Sequence, residues 1–327
     1  MNNALRKRKK RAAVVFNPIK VDIRKLRASV DAAEEAHGWA KTAWFETSLQ
    51  DAGQGATASA IRRGASVVLA AGGDGTVRAV AEGLRGSGIA LALLPSGTGN
   101  LLARNLELPL SDLGASVATA FGGEDRVIDV GMARIVRDDG HSEEHAFMVM
   151  AGLGLDAKMI KNTSTALKKA VGWLAYVDGI ARSLPELKPV KLTYRIDDDP
   201  EKSIKAHSIM IGNCGLLPGG LLLMPEAKPD DGILDVAALR PRGPFGWAMV
   251  WRKIAWENGV LRKSAIGRKI IDLSVDVRDV TYVTGKSLQM TVETPQEFQL
   301  DGDEFGEAKS VHAWVDHRAL TVRVPAA

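Results

Sequence analysis

From Ala12 to about Asp129, short apolar runs of strand length alternate with helix-like segments, and this alternation leaves the chain few architectures. Ala13–Phe16, Thr42–Phe45, Val67–Ala71 and Ile89–Leu94 are β-branched or leucine-rich runs. Between and after them lie Val21–His37, Thr57–Arg63, Val77–Leu84 and Leu101–Asn105, which read as helices. Strands separated by helices predict βαβ units and a mostly parallel sheet. In such a sheet ligands bind beyond the carboxyl ends of the strands.

After about Val130 the period changes. Val190, Leu192, Tyr194 and Ile196 alternate with polar residues, and so do Leu288, Met290 and Val292. Period-two alternation predicts antiparallel strands with one wet face, hence a β-sandwich-like second domain. Thr165–Leu184 and Trp247–Asn258 read as helices that interrupt it, and the tail alternates again through Val311–Val315 and Leu320–Val324. The 327 residues exceed what one core usually supports, and no serine- or proline-rich linker separates the halves, so two tightly joined domains are expected. With 46% hydrophobic and 25% charged residues the chain is neither disordered nor fibrous. Its one cysteine, Cys214, reads as a small buried hydrophobe and favours a reducing, cytoplasmic setting. No apolar run approaches the roughly 18 residues of a membrane span, and no apolar signal region follows the basic N-terminus.

The net charge of +4 is concentrated in Arg6, Lys7, Arg8, Lys9, Lys10 and Arg11; without that run it falls to −2. The remaining body is near neutral, so nucleic acid is not an expected partner. The tract itself is either a solvated arm or a peripheral attachment to anionic lipid.

Two loops carry the clearest chemistry. Gly72-Gly73-Asp74-Gly75-Thr76 follows a strand and precedes a helix. Its glycines let phosphate approach the main chain, and successive N–H groups at a helix start form an anion-binding concavity. A carboxylate repels phosphate, so Asp74 suits a magnesium ion, its waters or a sugar hydroxyl; a plain turn with Asp74 as helix cap would use the same residues. The spacing fits neither Gly-x-Gly-x-x-Gly nor a Walker loop. Leu94-Pro95-Ser96-Gly97-Thr98-Gly99-Asn100 is a second loop of this kind, and two such loops at neighbouring strand ends can clamp one polyphosphate. Two acidic strings follow. Met224–Asp235 sets Glu226, Asp230, Asp231 and Asp235 around Gly232, hard oxygen ligands for magnesium or calcium, or an acidic turn. Leu300-Asp301-Gly302-Asp303-Glu304 ends a strand with a carboxylate that could act as general base.

Taken in order, GGDGT, LPSGTGN, the P-E-A-x-x-D-D-G-x-L-D string and LDGD resemble the diacylglycerol kinase catalytic-domain family, which includes bacterial lipid kinases and sphingosine kinases. The resemblance runs from Asn17-Pro18 to Asp303. It implies an α/β fold: a Rossmann-like, parallel-sheet nucleotide-binding domain over residues 1–130, to which a tail at 307–327 returns, and an antiparallel β-sandwich lipid-substrate domain over 131–306, with ATP in the cleft between them. It implies nucleotide contacts from Asn17, Thr47, the loop Gly73, Asp74, Gly75 and Thr76, and Thr98; Gly97 and Asn100 belong to the second phosphate loop. It implies a structural magnesium site at the Asp231 side chain with main-chain oxygens of Lys228 and Ile233, and Asp303 as proton acceptor. Arg78 and Ala79 stand where the family usually has Asn and Glu, and Ile19-Lys20 where it has Ser or Gly. Arg78 could itself pair with phosphate.

The expected function is ATP- and magnesium-dependent phosphorylation of a lipid hydroxyl, with Asp74 and Asp303 central to catalysis. A NAD-kinase-like enzyme and a weakened nucleotide- or lipid-binding regulator are the alternatives, and the oligomeric state is open, a homodimer included. His141-Ser142-Glu143-Glu144-His145 lacks the Glu that a zinc-protease helix needs after its first His, and Asp197-Asp198-Asp199-Pro200 is a turn. Trp247, Val250, Trp251 and Ile254 form an apolar helical stripe, suited to packing on the sheet or to a membrane interface.

Overall fold

The structure is a computed structural model in which residues 9–153, 189–217, 221–241 and 280–326 are described. Two expected helices, Thr165–Leu184 and Trp247–Asn258 with its tryptophan stripe, lie outside the described residues, as do Arg6 to Arg8 of the basic tract. The chain divides into two compact units, Met1–Ile128 with Arg318–Ala327, and Asp129–His317.

In the first unit β1 (Arg11–Phe16), α1 (Ile23–Ala36), β2 (Ala40–Glu46), α2 (Gln54–Arg62), β3 (Val67–Gly72), α3 (Asp74–Leu84) and β4 (Ala90–Pro95) alternate, followed by α4 (Leu101–Asn105) and α5 (Leu113–Gly122). β1 pairs in parallel with β2 and β3, and β3 pairs in parallel with β4. The order β2-β1-β3-β4 means that the chain reverses direction across the sheet between β1 and β3, where a doubly wound sheet opens its ligand crevice. Ala12, Val14 and Phe16 of β1 pack with Leu26 and Val30 of α1 and Val117, Ala120 and Phe121 of α5. Asp22 starts α1 by accepting the Arg24 and Lys25 N–H groups, and Asp112 starts α5 by accepting that of Ala115. α5 was not expected from the sequence.

The second unit is antiparallel. β5 (Glu124–Val136) leads into it and pairs with β6 (Ser142–Phe147). β7 (Met150–Leu153), β8 (Val190–Ile196), β9 (Lys202–Ala206), β10 (Ser208–Gly212), the short β11 (Leu216–Leu217) and β12 (Leu221–Leu222), β13 (Leu234–Leu239), β14 (Val280–Gly285), β15 (Ser287–Leu300) and β16 (Asp303–Val324) follow. β10 lies between β7 and β13, and β15 between β8 and β16. Leu192, Ile211, Val236, Leu288, Met290, Phe298 and Val311 fill one core, the sandwich-like packing that the alternation predicts. The end of β16 belongs to the first unit, where Val322 pairs in parallel with Leu91 of β4. The returning tail is therefore Arg318–Ala327, shorter than the expected 307–327, because β16 still pairs with β15 as far as Trp314.

Candidate active site

Parallel pairing puts the residues after β1, β2, β3 and β4 on one edge of the first unit: Asn17, Thr47, Gly73 to Thr76, and Gly97 to Asn100. Main-chain bonds join these ends: Asn17 N–H to Ala71 O, Thr47 N–H to Phe16 O, and Ser96 N–H to Gly72 O. Thr47 and Thr76 are buried, and Thr98 is exposed.

The two glycine loops touch. A Cβ at Gly97 would lie 2.8 Å from the Gly73 Cα, and one at Gly99 would collide with the Asp74 carboxylate. Asp74, in the first turn of α3, accepts the Asn100 N–H at 3.0 Å and the Leu101 N–H at 2.5 Å. It thus satisfies main-chain donors at the start of α4 and ties the loops together. Asn100, at φ 49°, closes its own loop: Oδ1 accepts the Gly97 N–H and Nδ2 donates to the Gly97 carbonyl, each at 3.0 Å. Arg104 Nε donates to the Gly99 carbonyl.

Lys20 was not among the residues expected to act. Its Nζ stands over Gly73, 2.9 Å from where a Cβ would be, a cation at the first glycine turn. The signal was a lysine in the loop after β1 where small residues are usual. Lys20 also lines a cleft of about 250 Å³ together with Asp22, Lys25, Ala71, Leu94 and Ser96. At the two departures in α3, Ala79 is buried beside Gly53, so α2 packs where a glutamate would project; Arg78 is buried in the same helix.

In the second unit the acidic strings differ in character. Asp301, buried and at φ 50°, accepts the N–H groups of Met148, Val149 and Met150 at 2.8, 2.8 and 3.0 Å. Asp303 is exposed at the β15–β16 turn, paired through the main chain with Leu300. The string around Asp231 is anchored by a residue that the sequence reading missed. Asp129, fully buried, accepts the Gly232 N–H through Oδ2 at 2.7 Å, and its Oδ1 lies 2.8 Å from His317 Nδ1. The Asp129 N–H donates to the Pro229 carbonyl, and Asn213 Nδ2 donates to the Asp129 carbonyl. A lone aspartate within the apolar run Val127-Ile128-Asp129-Val130 was the available signal.

Burial pushes the Asp231 carboxyl up despite the Ile233 N–H that it accepts; Asp129 and Asp230 push the same way, and Lys228 opposes them. Burial, then Asp231 and Glu226, raise Asp235 to about 6. Carboxylates crowded beside a tight turn suit a hard cation, and the Asp231 side chain with main-chain oxygens of Lys228 and Ile233 is a donor set of the right chemistry for magnesium. Among the described residues no three His, Cys, Asp or Glu side chains form a metal cage, so such an ion would depend on those main-chain oxygens.

Residues 11–133 match the family described as Diacylglycerol kinase catalytic domain, and residues 148–250 match the YegS C-terminal NAD kinase beta sandwich-like domain. The chain is 31% identical over 179 residues to a diacylglycerol kinase of Mycobacterium tuberculosis, which covers 55% of this chain and 56% of that relative. It is 36% identical over 183 residues to a Pseudomonas aeruginosa protein named "Probable lipid kinase YegS-like", again 55% of this chain and 56% of the other. The match thus spans little more than half the length of these curated relatives. The crystal structure of a diacylglycerol kinase from Bacillus anthracis str. Sterne aligns over 97% of both chains with a TM-score of 0.66 at 19% identity, a likeness of fold.

Proposed function

The chain belongs to the diacylglycerol kinase catalytic-domain family, and from that premise we propose that it is an ATP-dependent lipid kinase acting on a diacylglycerol-like or sphingoid-like hydroxyl. The observation that carries this reading is the contact between the two glycine loops, tied by Asp74 to the Asn100 and Leu101 N–H groups. Gly73, Gly75, Thr76, Gly97 and Thr98 then offer main-chain donors to one polyphosphate, and Lys20 offers a cation at the same turn. Asn17 and Thr47, on the adjoining strand ends, contact the nucleotide.

Asp303 takes the proton of the lipid hydroxyl as its oxygen bonds to the γ-phosphorus. The bond from that phosphorus to the bridging oxygen breaks, and ADP leaves with the electron pair. Positioning and charge stabilisation supply most of the rate in such a transfer. A structural magnesium held through Asp231 and the main-chain oxygens of Lys228 and Ile233 would screen the crowded carboxylates of that loop, and magnesium carried with ATP would offset the phosphate charge.

The test is turnover of labelled ATP against a panel of detergent-dispersed lipids, with the product identified by mass. The expected result is one lipid class gaining a phosphate. ATP-dependent phosphorylation of NAD, or nucleotide binding without transfer to any lipid, would overturn the reading.

A further inference from the structure

Among the described residues two large aliphatic side chains stand almost fully in solvent, and both lie on the edge of the first unit that carries the glycine loops. Ile19, in the β1–α1 loop, is 92% exposed, and Leu49, in the β2–α2 loop, is 100% exposed. β1 and β2 are adjacent and parallel, and the Thr47 N–H donates to the Phe16 carbonyl, so these loops leave neighbouring strand ends.

Both residues are held outward by the turns that bear them. Asn17 Oδ1 accepts the Ile19 N–H at 3.0 Å, and Asn17 O accepts the Lys20 N–H at 3.2 Å. Ser48 Oγ accepts the N–H groups of Gln50 and Asp51, and the Ser48 N–H donates to Asp51 O. The hydrogen bonds fix the turn tips, and the residue at each tip is an apolar one that water solvates poorly.

The surrounding charge favours an anionic surface. Lys20 adjoins Ile19, and Arg24 and Lys25 are exposed at the start of α1. Of the nearby acids, Asp22 caps α1 and also lies 3.7 Å from Lys25 Nζ, Asp51 accepts the N–H groups of Gly53, Gly55 and Ala56, and Glu46 is exposed at the end of β2, so Lys20, Arg24 and Lys25 outnumber the acids left facing solvent. No helix among the described residues is long and apolar enough to cross a membrane. A kinase of lipids must then meet its substrate at a bilayer surface.

We propose that Ile19 and Leu49 are paired anchors that insert into the headgroup region of an anionic bilayer, with Arg24 and Lys25 on its phosphates, so that the docked edge is the edge bearing the nucleotide loops. The choice of a membrane as partner rests on the lipid-kinase reading, but its test does not.

The full chain is sedimented with vesicles of phosphatidylglycerol and phosphatidylcholine, and with phosphatidylcholine alone. Binding to the anionic vesicles is expected, about tenfold or more weaker for the double variant Ile19→Ser, Leu49→Ser, as for two aliphatic side chains removed from an interface. Arg24→Gln with Lys25→Gln should weaken binding at low salt and have little further effect at high salt. A fluorophore on Leu49→Cys should shift to the blue with anionic vesicles, and the buried Cys214 leaves that label site-specific. Melting curves and turnover of detergent-dispersed lipid should be unchanged in the serine variant. Equal vesicle binding by wild type and serine variant, or no fluorophore shift, overturns the proposal. So does a dimer in sedimentation that the serine variant dissolves while neither form binds vesicles, since the anchors then cover a second copy. Vesicle binding that depends on both anchors, in a protein that phosphorylates no lipid, would uphold the docking and overturn the kinase.

Discussion

Asp301 and Asp303 stand two residues apart in one turn, yet their surroundings are opposite. Asp301 is buried and accepts three main-chain N–H groups; Asp303 is exposed beyond them. Asp301→Ala would strand those donors, at about 3 kcal/mol or more of stability, read as a lower midpoint in denaturant. Asp303→Asn should leave that midpoint and ATP affinity in place while turnover falls on the order of 10²-fold or more, the scale of a lost general base. Equal turnover by Asp303→Asn and wild type would move the proton acceptor elsewhere. Glu34 makes a residue-scale prediction of another kind. Burial pushes its carboxyl up, but the 2.8 Å ion pair with Lys41 and the Thr42 N–H outweigh burial and hold it below the ordinary 4.5. A depressed acid stabilises the fold above its unfolded pKa and loses that stabilisation as pH falls. Wild type should therefore lose stability more steeply than Glu34→Gln below about pH 4.5, in melting curves taken between pH 7 and pH 3.

Among the elements, the loops were legible as tight strand-to-helix turns because glycine spacing after a strand is a backbone requirement written into the sequence. The role of Asp74 was legible only in part. Read alone, its carboxylate suits a metal or a sugar hydroxyl; in the structure it faces the Asn100 and Leu101 N–H groups, 26 and 27 residues away. Asp74→Ala should therefore lower ATP affinity by tenfold or more and also destabilise the first unit by about 1–3 kcal/mol, the cost of leaving those donors unmet. Calorimetry with ATP and a melting curve measure the two effects, and a loss of turnover with affinity and melting intact would return Asp74 to a purely chemical role. α5 escaped notice because Leu113–Gly122 is built of small and apolar residues with no sharp polar face, and only Asp112 as N-cap marked it. The string around Asp231 yields a metal prediction. If magnesium binds there, it should raise the melting temperature of wild type and of Asp303→Asn but not of Asp231→Ala, by mass-action linkage, and chelator should reverse the rise. An equal rise in Asp231→Ala would put the ion elsewhere.

For the molecule as a whole, the change of period near Val130 was readable because helix and strand repeats differ, whereas the return of the tail to the first domain came only from the family resemblance, and with bounds wider than the observed Arg318–Ala327. Alternation through Val311–Val324 reads as β structure without saying which sheet it joins. The answer lies in contacts some 200 residues or more away in sequence: Val322 pairs with Leu91, the Gly86 N–H donates to Ala319 O, and Arg323 reaches Asp125 and the Gly123 carbonyl. Arg318, at φ 56°, marks the passage of β16 from one unit to the other. Leu320 and Val322 are buried to 1% and 0% exposure, and removing them from water contributes about 1.5–3 kcal/mol each. Together that is roughly 3–6 kcal/mol, comparable with the whole stability of a typical domain at about 5–15 kcal/mol. A chain ending at His317 should therefore retain the antiparallel unit, which holds its own core, while the parallel unit, with β4 left as an unpaired edge, melts well below the full-length protein and loses ATP binding. Hydrogen exchange resolves the two: faster exchange confined to the parallel unit and largest in β3 and β4 is expected, and unchanged protection of Leu91 and Leu93 would mean that the tail merely lies on the sheet without holding it.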